Sequence, residues 1–190
     1  MTARPLKTVP RVPSGDIHRL SPLDVIKAQI AEDGSDDGGV LFRDMGRKIS
    51  QCAGDEIGRD TKRCPLRRPL YRDLNGDEKD ELLVGIEDSN FLIVRAFTIK
   101  DEVVTQIMDA FAQPLSVELT GRDVIVREPT TTAGYDLRTV YSWDRRRQAM
   151  ERRNMEFVPQ PSGTPSSSGA SPSAAPRKGP PDEDPAARHL

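Results

Sequence analysis

Apolar residues change from a helical spacing near the N-terminus to an alternating spacing in the middle of the chain. Residues 21–32 begin with Ser-Pro, a good N-cap followed by proline at the first helical position, and then carry apolar side chains at helical spacing. This pattern predicts a helix ending near Gly34. After a polar turn over residues 33–39, the apolar positions of residues 40–49 predict a second short helix running toward Cys52.

From Tyr71 to Trp143 short apolar runs alternate with turn-forming residues, which is typical of β-strands. In residues 115–119 the apolar and polar side chains alternate strictly, as in a half-buried antiparallel strand. Connections this short cannot make parallel crossovers. The sequence therefore predicts an α+β fold, an antiparallel meander of five or six strands with the two N-terminal helices on one face. The strands are expected at residues 81–86, 91–99, 103–111, 115–119, 124–128 and 135–143.

The chain divides into four zones by composition. Residues 1–15 hold three prolines among basic residues and are predicted to be an extended leader or linker. Residues 16–144 form the single α+β domain, and residues 145–158 form an arginine-rich extension. Residues 159–190 are rich in Pro, Ser, Ala and Gly and lack the apolar residues that offset ordering entropy, so we expect a disordered C-terminal tail.

Charge and hydropathy narrow the classes of function. The 190 residues include 28 basic and 30 acidic side chains and carry a net charge of -2, which is too balanced for general binding to nucleic-acid phosphates. No specific nucleic-acid partner is expected. No apolar run approaches the roughly 20 residues of a membrane span, and polar, Pro-rich sequence follows Met1 where a signal peptide would have its apolar core. If the chain as written is complete, a cytoplasmic location follows.

The two cysteines, Cys52 and Cys64, lie twelve residues apart in a polar segment. The spacing fits either a small disulfide loop or two unrelated thiols. A disulfide would indicate an oxidising compartment. Zinc is the weaker interpretation, because only His18 and His189 could join the cysteines as nitrogen ligands.

An acidic segment just before the first predicted strand has the spacing of a calcium loop. Asp73, Asn75 and Asp77 stand at positions one, three and five, the Lys79 carbonyl at seven and Glu81 at nine. The segment resembles the calcium loop of FG-GAP and related propeller repeats, which implies a weak Ca²⁺ site. It differs from them at position six, where the family has a glycine. The competing interpretation is an ordinary turn, since Asn-Gly-Asp is common in turns and one copy cannot build a propeller.

Catalytic and anion-binding patterns are weaker. His18, near Ser21 and Asp24, is interpreted as a capping or surface residue rather than part of a triad. The basic segments 62–68 and 145–153 are interpreted as solvated faces, with an acidic partner or an anionic membrane surface as the alternative. No catalytic residue is assigned, and the protein is predicted not to be an enzyme.

The order of elements over residues 20–144 carries a second resemblance. A short helical preface, a cysteine-bearing loop, an acidic turn and a run of antiparallel strands together resemble the mature domain of small actinobacterial envelope lipoproteins, a group that includes regulators of cell-envelope stress. The resemblance implies a membrane-associated, extracytoplasmic binding or regulatory module with a protein partner. The alternative is a cytoplasmic protein-interaction domain that uses the arginine-rich extension.

Overall fold

Two helices and two antiparallel sheets make up the computed structural model, which describes residues 2–33, 40–88 and 90–160. For residues 40–43 and 88 only the backbone is described. Short 3₁₀ turns lie at Ile17–Arg19 and Gly54–Glu56. In chain order the elements are β1 (Arg4–Pro5), α1 (Pro22–Asp33), α2 (Val40–Ser50), β2 (Leu70–Arg72), β3 (Glu81–Asp88), β4 (Phe91–Lys100), β5 (Val103–Ala112), β6 (Ser116–Thr120), β7 (Asp123–Pro129), β8 (Tyr135–Asp144) and β9 (Ala149–Pro159).

The strands divide into a first sheet, in the order β1-β5-β4-β3-β2, and a second sheet, in the order β6-β7-β8-β9. Every pairing is antiparallel, which confirms the predicted α+β class. Among the described residues the strands number nine in two sheets, where five or six in one meander were predicted. The count differs because the connection of residues 113–115 leads from the first sheet to the second. In addition, β1, β2 and β9 lack the short apolar runs or the alternation of apolar and polar residues from which the other strands were predicted.

Two apolar cores hold the layers together. The first lies between the helices and one face of the first sheet, and the second fills the space between the sheets. Consecutive residues of β3 and β4 therefore serve different cores, which explains why these two strands are apolar on both faces. The first core includes Ile26, Ile49, Val84, Ile86 and Phe97, and the second includes Leu83, Val94, Met108, Val124 and Met150.

The N-terminal segment packs on the domain, so the predicted boundary at residue 16 is wrong. Its prolines keep it extended, as expected, but Leu6 and Val12 are buried in the first core. A single carboxylate oxygen of Glu32, in the last turn of α1, accepts hydrogen bonds from the Lys7 amide (2.6 Å) and from the Thr8 amide and hydroxyl (both 2.8 Å). Residues 2–15 thus run along the β5 edge of the first sheet and belong to the domain rather than to a linker.

The arginine-rich residues 145–158 are also part of the fold. From residue 149 onward they form β9, which pairs with β8 from Ala149 to Pro159, so the predicted domain end at residue 144 is wrong. Long arginine and glutamate side chains are compatible with a half-exposed strand, and their charge obscured the alternation of apolar and polar residues that would have indicated it. Most of the predicted disordered tail, from residue 161, lies outside the described residues.

A buried cation ties α1 to the first sheet. Arg95, in the central strand β4, is almost fully buried, and its guanidinium lies 3.3 Å from Asp33 at the end of α1 and 3.4 Å from Asp109 in β5. A buried charge needs such partners. The pairing sets the position of the helix end, where Asp33 also contacts Arg4.

Candidate functional site

Residues 73–80 connect β2 to β3 in a tight loop that its own side chains close. Each of the three polar side chains predicted to stand at the first three ligand positions accepts a hydrogen bond from a loop amide. Glu78 has φ of 66°, the left-handed conformation that the calcium-loop family supplies with glycine. The bonds run from Gly76 N to Asp73 Oδ1 (2.6 Å), from Asp77 N to Asn75 Oδ1 (2.8 Å) and from Lys79 N to Asp77 Oδ1 (2.9 Å).

Glu81 is fully buried beneath this loop and organises it. One carboxylate oxygen accepts the amides of Leu74 (2.7 Å) and Asn75 (3.2 Å), and the other accepts the Asn75 side-chain amide (2.8 Å) and the Thr98 hydroxyl (2.9 Å). Burial raises the pKa of Glu81 to about 7, against the opposing effect of these hydrogen bonds. The side chain therefore joins the loop to β4.

A cation of the protein itself sits on the loop. Arg122, in the β6–β7 turn, places Nη2 3.2 Å from Asp73 Oδ2. A Cβ on Gly76 would lie only 2.5 Å from Arg122 Nη1, so glycine at this position allows the guanidinium to approach. The contact joins the first sheet to the second at one end of the sandwich.

The predicted calcium ligands are only partly gathered. Asp73, Asn75 and Asp77 lie on one loop, but both oxygens of Glu81 accept hydrogen bonds within the fold. Across residues 2–33, 40–88 and 90–160 no three His, Cys, Asp or Glu side chains converge in a way that could hold a metal ion. Calcium binding through these residues and the Lys79 carbonyl stays a prediction.

The predicted cysteine pair is brought together. Cys52 follows α2 and Cys64 ends the loop that returns to the sheet, and their sulfurs lie within bonding distance with the Cα atoms 5.0 Å apart. Both residues are buried in the first core. The geometry is that of a disulfide closing a twelve-residue separation.

Sequence reasoning missed a partner of His18. Its Nε2 lies 2.9 Å from Asp80 Oδ2, and its ring stacks on Tyr71 with centroids 4.2 Å apart. His18 and Asp80 border a cavity of about 320 Å³ that Ser14 and Lys79 also line. The separation of 62 residues between His18 and Asp80 left no local signal in the sequence.

The β8–β9 turn carries arginines on a backbone that hydrogen-bonds to Asp144. Asp144 Oδ1 accepts the amides of Arg146 (2.8 Å) and Arg147 (3.0 Å), and the hydrogen bond from Arg147 lowers the pKa of Asp144. Arg147 and Arg153 form ion pairs, with Glu151 at 3.2 Å and Asp144 at 2.9 Å. Arg145 and Arg146 have no ion pair with a described carboxylate and are exposed.

The opposite end of the second sheet is apolar on the face that looks toward the first sheet. Two cross-strand pairs of β8 and β9, Leu137–Phe157 and Thr139–Met155, lie on the same face as the buried Val126. Phe157 and Met155 are nevertheless 64% and 53% exposed. The second sheet thus extends beyond the part that packs against the first sheet. We call Leu137, Met155 and Phe157 the β9 corner.

Comparisons with protein-family models, with curated proteins and with solved structures found no match. The resemblances to calcium loops and to envelope lipoproteins therefore stay expectations. Among the described helices, none has the length and apolar character needed to cross a membrane.

Proposed function

We propose that the protein is a non-enzymatic binding module of the bacterial cell envelope that regulates or recruits a protein partner through the β9 corner. The observation that supports it most is the exposure of Met155 and Phe157 on a face that is otherwise a packed interior. Large apolar side chains grouped at one corner, with charged residues around them, are typical of interaction surfaces.

The polar residues next to the β9 corner in β8 and β9 face the other side of the second sheet. Arg138 pairs with Glu156 at 2.7 Å on the opposite face of the same strands, and Gln160 donates to Asp136 at 3.0 Å near the strand end. A partner covering Phe157 would therefore remove apolar surface from water without breaking this ion pair or this hydrogen bond.

The envelope location rests on the cysteines. A buried pair at bonding distance is stable in an oxidising compartment and uncommon in the bacterial cytoplasm. Alkylation of intact cells followed by intact-mass measurement of the protein, with and without reductant, tests this location. If the alkylating reagent adds to the protein only after reduction, the cysteines are bonded in the cell and export is supported. Alkylation of both thiols without reduction would contradict it.

Photo-crosslinking tests the binding surface. A photoreactive phenylalanine analogue placed at Phe157 should give a discrete protein adduct in cells, whereas the same analogue at Phe111 should not. Phe111 is a matched control because it is 55% exposed but lies on the helix-bearing face of the first sheet. Equal adducts at both positions, or none at Phe157, would remove the support for this function.

A second candidate is a cytoplasmic interaction domain that binds an acidic partner, or an anionic membrane surface, through the β8–β9 turn. It is favoured by one observation, the exposed Arg145 and Arg146 on a turn held by Asp144. Replacing both arginines by glutamate should then abolish crosslinking to the acidic partner, or co-sedimentation of the protein with anionic vesicles. The envelope module predicts that this double variant keeps the Phe157 adduct.

A further inference from the structure

We propose that the partner is recognised by strand addition: an extended segment pairs with residues 154–158 of β9 as a fifth strand of the second sheet. On the apolar face its side chains would cover Met155 and Phe157, and an acidic residue would meet Arg152. This inference rests on the proposed function and names the mode of binding and the chemistry of the bound segment.

The backbone of β9 provides the template. β9 is the last strand in the order β6-β7-β8-β9, and within the described residues no strand pairs with its outer edge. An edge strand presents unpaired amides and carbonyls along that side. Strand addition satisfies these groups, while pockets and exposed side chains on alternate positions select the sequence.

The faces on which the β9 side chains lie determine which residues the added strand must have at each position. Met155 pairs with Thr139, and Arg152 pairs with Tyr141, so both lie on the apolar face although they are three positions apart. A register shift at Arg153 accounts for this spacing, since Val140 pairs with residue 154 and the next residue pairs with Arg152.

Arg152 gives the apolar face a charge at one end. No described carboxylate forms an ion pair with it, and its guanidinium lies 4.0 Å from the Met155 sulfur. An antiparallel segment with apolar residues opposite Phe157 and Met155 and a glutamate two positions further would match all three side chains. Its recognition pattern is apolar, any, apolar, any, acidic.

A second copy of the chain fits this edge poorly. A twofold pairing that sets Met155 against Phe157 of the other copy would also set Glu156 directly against the Glu156 of that copy. Like charges in opposite positions destabilise a strand pair. In this register the charge pattern therefore favours a different, acidic segment over a second copy.

The bulge and the arginines also limit the length of the added strand. Arg153 is the extra residue of the bulge and is paired with Asp144, and Pro159 ends the strand. Bulges, charges and proline are the usual protections of an edge. Only the stretch between them remains open, which suits a short linear segment.

A synthetic peptide tests the mode of binding. The probe is acetyl-Ser-Thr-Val-Thr-Val-Thr-Glu-Ser-amide, and the control replaces its glutamate by lysine. Amide chemical shifts and hydrogen exchange of the full-length protein should show binding with slowed exchange at residues 154–158. The lysine peptide and the Phe157→Glu variant should each weaken binding by about tenfold or more, whereas Phe111→Glu should leave it unchanged.

The outcomes separate the two proposals. Peptide binding without slowed exchange in residues 154–158 would overturn strand addition while leaving the β9 corner as a binding surface. No peptide binding alongside a Phe157 adduct in cells would do the same. Sedimentation showing a dimer that Phe157→Glu dissociates would overturn this inference in favour of a second copy. Melting curves of each variant establish that the fold is intact.

Discussion

Arg122 and Asp73, which belong to turns of different sheets, form an ion pair with 3.2 Å between Nη2 and Oδ2. The guanidinium thereby occupies the side of the acidic loop where an external cation would have to contact Asp73. Arg122 thus competes with Ca²⁺ for Asp73, which the spacing of the loop residues did not reveal.

Replacing Arg122 by glutamine should strengthen Ca²⁺ binding if the acidic loop is a calcium site. The wild-type loop is expected to bind weakly, with a dissociation constant of about 0.1 to 1 mM or higher, as extracellular sites do. Removing the cation frees Asp73 and lowers the local positive charge. Calorimetric titration of both proteins measures the change, with Asp77→Ala as the variant that abolishes binding. No heat in either protein at several millimolar Ca²⁺ would leave the loop as a turn.

Glu81 should make the fold less stable as the pH rises from about 4.5 to 7. Its native pKa is raised to about 7, so in this range the folded chain holds a proton that the unfolded chain has lost. The contribution is complete below the unfolded pKa and is lost as the pH passes the native one. Urea denaturation at several pH values should show a steeper decline for wild type than for Glu81→Gln. Parallel profiles would mean that the hydrogen bonds from Leu74, Asn75 and Thr98 keep the carboxylate ionised.

The bond between Cys52 and Cys64 should stabilise the domain by about 3 kcal/mol, the chain-entropy value for a loop of this length. Adding reductant to wild type should lower the melting temperature. The Cys52→Ser/Cys64→Ser double variant is the control, since its melting temperature should be lower than that of oxidised wild type and should not change when reductant is added. Equal melting of wild type with and without reductant is the contrary result.

Replacing Gln29 by methionine should stabilise the protein. Gln29 is fully buried in α1, and neither of its side-chain amide atoms has a hydrogen-bond partner among the described residues. An unpaired buried amide costs roughly 1–3 kcal/mol, and methionine keeps a similar volume. Chemical denaturation should give a free energy of unfolding higher by about 1 kcal/mol or more. A lower value would indicate that ordered water satisfies the amide.

Truncation should locate the end of the domain after Gln160. A chain ending there should melt at the wild-type temperature, because every cross-strand pair of β9 is kept. A chain ending at Asn154 loses five pairs with β8, each contributing roughly 0.2–1 kcal/mol, and should melt lower. If both truncations are neutral, the last half of β9 contributes nothing to stability.

Strands with alternating apolar residues could be predicted from the sequence almost to the residue. β6 is the example, because Val117 and Leu119 face the second core while Ser116 and Glu118 face away, which leaves a period of two. β7 was predicted instead from a short apolar run, Val124 to Val126, whose residues are all buried. The strand β9 could not be found this way. Its side chains at residues 152–156 are mostly charged or polar, and its pairing is set by the neighbouring strand rather than by its own burial.

The candidate site was predictable only where it is local. The spacing of Asp73, Asn75 and Asp77 indicated the turn correctly, and the spacing of the cysteines allowed their pairing. The four hydrogen bonds that Glu81 accepts within the fold could not be predicted, because they depend on its burial, which local sequence does not show. Contacts across long separations, such as Arg122 with Asp73, depend on how the sheets stack.

The extra residue at Arg153 has a consequence for how the protein behaves when it is crowded. Deleting it would leave every other β9 side chain on its present face and would make the strand a regular, flat edge along most of its eleven residues. Such an edge invites copies to add to one another without limit, as in fibres. One inserted arginine therefore breaks the regular edge that such association needs, while residues 154–158 stay open to a short segment.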